Sequence, residues 1–158
     1  MAEMELKRKD ARSAYRIALE RLLSAIGYPE KISVADGPAT LRVDGKEVFV
    51  EESAGRIVFS IELTEDESKF PSLAAYAAGR ILREDAVLAY GRRSKAENQA
   101  SGSRPSVLLW QDVPVDADDH TLVRVFESFA DSCDWWRARV DEHGKDDSVE
   151  ISEAVIRP

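Results

Sequence analysis

The residues of this chain best suited to chemistry are two histidines, one cysteine and two short acidic clusters, and their spacing keeps them apart. His120 and His143 fall at the two ends of one amphipathic segment, 23 residues from each other. On a helix that is about 34 Å, so they cannot share a site within one subunit. Cys133 lies on or beside the apolar stripe of the same segment, where a lone thiol reads as a small buried hydrophobe rather than a nucleophile. No serine sits in the G-x-S-x-G setting of a nucleophile elbow. Asp116, Asp118 and Asp119, and likewise Glu65, Asp66 and Glu67, lack the alternating spacing of a calcium loop and read as helix-start charges. Neither phosphate-binding glycine pattern occurs. The expectation is a protein with no catalytic residues, no metal and no cofactor, and hence not an enzyme.

Binding is what remains, and composition narrows the partner. The chain has 22 Lys+Arg against 30 Asp+Glu, a net charge of −8, which repels the phosphates of nucleic acid and anionic lipid headgroups. A single cysteine cannot form an internal disulfide and fits a reducing, cytoplasmic setting. The N-terminus mixes both charge signs and lacks the apolar core of a signal peptide, and no run is long enough to span a membrane. The basic residues concentrate in one stretch, at Arg92, Arg93, Lys95 and Arg104, which reads as a solvated connection.

Residue periodicity supplies the elements. Tyr15, Leu19, Leu22 and Ile26 mark one face of a helix from about Asp10, ended by Gly27 and Pro29. Leu41 to Val43 and Val48 to Val50, joined by Asp44-Gly45, predict a hairpin with a type I′ turn. After Ser53-Ala54-Gly55 a third strand places Ile57, Phe59, Ile61 and Leu63 on one face. A helix rich in small residues follows, FPSLAAYAAGRILRE, then strands at Ala86 to Tyr90 and Ser106 to Trp110. A helix beginning near Asp118 or Asp119 closes the chain, with Leu122, Val125, Phe129, Ser132 or Cys133, Trp136 and Val140 on its stripe. Trp135 points about 100° away from Trp136 and falls at the edge of that stripe. With 158 residues and 44% apolar content, one core and one domain over 1–158 are expected. Within it lie a polar loop at 92–105 and a C-terminal tail at 144–158.

The order α-β-β-β-α-β-β-α, the DGKEVFVEE hairpin and the ending VLLWQDVPVDADDHTLVRVFESFADSCDWWRARV together resemble the class I type III secretion chaperones of the CesT/Tir-chaperone family. The likeness covers about residues 10 to 142. It is closest at the end, where Leu122, Phe126 or Phe129, and Trp135 or Trp136 fill the family's spaced apolar positions.

The resemblance implies an α+β fold with an antiparallel sheet packed by helices, in a cytoplasmic homodimer. Such a dimer would hold the unfolded N-terminal segment of a secreted effector in a secretion-competent state, without enzymatic activity. The dimer would form through Leu73, Tyr76, Ala77, Arg80, Ile81 and Leu88. The partner segment would meet Val48, Val50, Val58 and Trp110. Proteins of this fold with other partners include the YbjN-like group, for which the chain would be a regulatory or scaffolding protein binding a folded partner.

Overall fold

The computed structural model describes residues 2–29, 37–80, 86–91 and 105–154, with side chains undescribed at 6–13, 79–80 and 143–154. Helix α1 (Ala2–Ala25) leads into strands β1 (Ala39–Val43), β2 (Lys46–Ser53) and β3 (Arg56–Thr64). A 3-10 turn at Glu67–Lys69 opens helix α2 (Phe70–Arg80), followed by β4 (Val87–Gly91), β5 (Ser106–Pro114) and helix α3 (Asp119–Ala154). The strands order as β1-β2-β3-β5-β4 in one antiparallel sheet, so the fold is α+β with the expected element order. Cα clustering divides the chain into two compact units, Met1–Ile61 with Trp110–Ala130, and Glu62–Leu109 with Asp131–Pro158.

In the first unit the three-stranded meander follows from its turns. Asp44 and Gly45 have φ of 50° and 75°, and Ala54 and Gly55 have 51° and 75°, so both hairpins carry the paired left-handed residues of a type I′ turn. Those turns fix the registers at Val43↔Lys46 and Ser53↔Arg56. Period-two alternation then sends Val48, Val50, Ile57, Phe59 and Ile61 inward, where all are buried. The Phe59 ring meets Phe126 edge-on at 5.4 Å between centroids and Phe129 at 6.0 Å, which packs the start of α3 on this face. From α1, the buried Tyr15 donates its hydroxyl to the Val50 and Gly37 carbonyls at 3.3 Å. Arg21 joins α1 to the start of α3, with its Nε 2.6 Å from the Asp119 carboxylate.

The second unit contains α2, β4, the first part of β5 and the later part of α3, whose Cys133, Trp136 and Val140 are buried. The 3-10 turn is capped by Asp66, whose carboxylate accepts from the Ser68 amide at 3.0 Å and from its hydroxyl at 2.6 Å. The acidic cluster before α2 thus serves the chain start of a helix. Asp118 does the same for α3, accepting from the Thr121 amide at 2.7 Å.

Four expectations are corrected. Helix α1 starts at Ala2, well before Asp10. Strand β5 runs on to Pro114, because Gln111 and Val113 continue the buried alternation beyond Trp110. Phe126, and not Val125, is the buried residue of its turn in α3. The closing helix does not end near His143: α3 runs on through Gly144 to Ala154. A glycine costs about 1 kcal/mol against alanine inside a helix, which the run of helix-compatible residues from Lys145 outlasts. The basic stretch from Arg92 to Arg104 and the helix end at Ile81 lie outside the described residues.

Candidate functional site

Two surfaces carry the residues that the sequence singles out for binding. In the first unit the relevant surface is the sheet face opposite the core. The register pairs Thr40 with Phe49 and Phe49 with Ser60, and pairs Glu51 with Val58. The position of β5 against β3 follows from two side-chain bonds. Arg56 donates to Asp112 from Nε at 2.7 Å and from Nη2 at 3.3 Å, and Ser106 donates to Glu62 at 3.2 Å. Arg56 to Glu62 and Ser106 to Asp112 are equal steps along neighbouring strands, so both bonds place the even-numbered residues of β3 and β5, Val58 and Trp110 among them, on one face.

A row Glu51, Val58, Trp110 therefore crosses this face, with Phe49 beside it, and all four are half-buried. The Arg56–Asp112 pair lies beside the row, two residues along each strand, and the Val115 amide bonds the Gly55 carbonyl at 3.1 Å. Two of the four expected partner residues, Val58 and Trp110, thus share one face of neighbouring strands. The other two are not available: Val48 and Val50 point to the opposite face and are buried in the chain's own core, as strand alternation requires. Phe49 replaces them, and the sequence contained a signal for it. Glu47, Phe49 and Glu51 share a face at period two, so the charged residues mark that face as the outer one.

In the second unit the surface is built by α2 and β4. Tyr76 of α2 is 44% exposed, and Val87 and Tyr90 of β4 are 44% and 37% exposed. The Tyr90 ring sits 5.6 Å from that of Phe70 at the start of α2, which fixes the strand against the helix. Ala77 and Leu88 are half-buried. Leu73, expected at a dimer contact, is fully buried within the chain, whereas Tyr76, about 60° round the helix from it, is exposed. Arg80 ends α2 with its side chain undescribed, and Ile81 is outside the described residues. Val87 and Tyr90 were not among the expected contacts. Nothing polar interrupts Ala86 to Tyr90, so the sequence gives no sign of which side chains face out.

The groups weighed for chemistry fall elsewhere. His120 is exposed at the start of α3, Cys133 is buried, and no trio of His, Cys, Asp or Glu is grouped for a metal among the described residues. Among the same residues no helix is long and apolar enough to cross a membrane. The largest electrostatic effect is on Tyr15. Burial, and then the nearby charges of Glu51 and Glu52, push its phenol up to about 12.

No family model matches the chain, and no curated protein matches it in sequence. Solved structures similar to it include E. coli YbjN, a proposed transcription regulator, at 14% identity and a TM-score of 0.47, over 77% of this chain and 84% of that one. They also include the Yersinia pestis type III secretion chaperone SycH, in complex with a stable fragment of YscM2. Here identity is 15% and the TM-score 0.47, over 75% of this chain and 96% of that one.

Proposed function

We propose that this protein is a non-enzymatic, cytoplasmic binding protein that pairs with a second copy of itself and holds an extended segment of a secreted effector. The observation that carries the reading is the α2–β4 surface. This acidic chain exposes Tyr76 of α2 and, on the terminal strand, Tyr90, whose ring meets Phe70 of the same helix, while Val87 is exposed on the other face of β4. Clustered aromatic and aliphatic side chains on an otherwise charged surface are the usual mark of protein contact. In this reading the second copy covers α2 and β4. The effector segment lies on the row of Val58 and Trp110, where apolar contact area and the flanking acidic residues suit an unfolded chain with apolar and basic side chains.

The test is co-expression with the product of the neighbouring gene, followed by purification of the complex. The expected product is two copies of this chain with one client, bound through the client's N-terminal segment. Replacing Trp110 by Asp is expected to release the client while leaving the pair of copies intact. Binding of a folded protein, with no affinity for any unfolded N-terminal segment, would instead favour a regulatory or scaffolding role.

A further inference from the structure

The sheet ends on one side at β1, and among the described residues Tyr28 meets the outer edge of that strand. The two-residue turn at Asp44-Gly45 makes Val43 and Lys46 a hydrogen-bonded pair. Alternation along an antiparallel ladder then makes Leu41↔Val48 and Ala39↔Val50 hydrogen-bonded as well. Arg42 and Thr40, between them, must turn their amides outward, away from β2. The structure meets this expectation at Arg42, whose amide donates to the phenol oxygen of Tyr28 at 2.8 Å.

The position of Tyr28 is itself set by the end of α1. Gly27 has a φ of 67°, its amide bonds the Ser24 carbonyl at 3.2 Å, and the Tyr28 amide reaches back to the Leu23 carbonyl at 2.9 Å. These are the two bonds of a Schellman cap, in which the glycine takes the left-handed conformation and the next residue is held against the last turn. The helix cap thus delivers the phenol to one of the two outward amides of β1, that of Arg42.

We propose that Tyr28 is a guard on the edge of β1, its hydroxyl occupying the outward amide of Arg42 and keeping this edge from pairing with another strand. An exposed edge presents a row of donors and acceptors to any extended chain, and proteins protect such edges by shortening, charging or covering them. β1 is five residues long, carries the charged Arg42 and is covered by Tyr28. The other terminal strand, β4, is equally short but holds no charged residue. The guard confines strand pairing to β4.

The test is Tyr28→Phe, which keeps the ring and removes the acceptor. Hydrogen exchange resolved by residue is expected to show the Arg42 amide exchanging about tenfold faster, as for the loss of one hydrogen bond, with the Phe59 amide unchanged. Light scattering is expected to show the variant forming assemblies larger than those of the unmodified protein at the same concentration. Adding Arg42→Pro, which a terminal strand tolerates and which leaves no amide to donate, is expected to abolish that gain. An unchanged Arg42 exchange rate, an unchanged mass, or larger assemblies that survive the added proline would each overturn the proposal.

Discussion

Tyr15 shows how a single side chain links helix to sheet. Its ring is fully buried and its hydroxyl serves two backbone carbonyls, at Val50 and Gly37. Tyr15→Phe is expected to cost about 0.5–1.5 kcal/mol in urea unfolding, the net worth of a buried hydrogen bond. The raised pKa adds a pH dependence. A phenol that titrates at 10.0 unfolded and at about 12 folded holds its proton more firmly in the native state. The stability it contributes is complete below pH 10 and is lost as pH rises toward 12. Tyr15→Phe should flatten the alkaline limb of the stability profile, and an unchanged limb would show that the phenol is not held in this way. Phe129 and Trp136 were legible as core from helical spacing alone, and both are buried to within 1%. Phe129→Ala is expected to cost about 3–5 kcal/mol, and a loss below about 1 kcal/mol would contradict its place against Phe59. Val48 and Val50 were misread because a run of three apolar residues, Val48-Phe49-Val50, does not reveal its inner face. The flanking glutamates do.

Among the elements, those with strong local signals were the readable ones. Asp44-Gly45 and Ala54-Gly55 specify their turns through residues that accept positive φ, and the meander follows from them. The start of α3 was equally legible, since Asp118 accepts from the Thr121 amide. That bond holds the Asp118 carboxyl below its ordinary 3.8, the backbone bond to Thr121 being the main cause and the Thr121 side chain the next. A depressed carboxylate contributes stability above its unfolded pKa and loses it as pH falls through the folded value. Asp118→Ala is therefore expected to lower Tm at neutral pH and to make no difference well below pH 3.8. A deficit that persists in acid would mean that packing, and not the charged cap, fixes this end. The other end of α3 was not legible. Gly144 resembles a helix stop, but a stop needs the left-handed cap and its bonds, whereas the helix continues to Ala154. The bond from Arg42 to Tyr28 was also beyond reading from sequence, because it joins an edge to a cap 14 residues away by geometry alone.

For the whole molecule, the proposed partners are proteins, and the surfaces proposed to meet them are the α2–β4 surface and the outer face of the sheet. The net charge of −8 disfavours, as a bulk effect, contact with other polyanions. Against that background, α2 and β4 carry the apolar side chains that a second copy would bury. The small residues of α2 were plain in the sequence, whereas the burial of Leu73 beside an exposed Tyr76 was not. The α+β order was readable because each element is patterned locally, whereas the strand order, with β5 between β3 and β4, rests on long-range pairing. The measurement that bears most directly on the account is the solution mass by light scattering of the unmodified chain and of Tyr76→Asp with Tyr90→Asp. The account predicts two copies of the 17.6 kDa chain in the first case and one folded copy in the second. A single copy for the unmodified chain, or two copies that survive both substitutions, would contradict it.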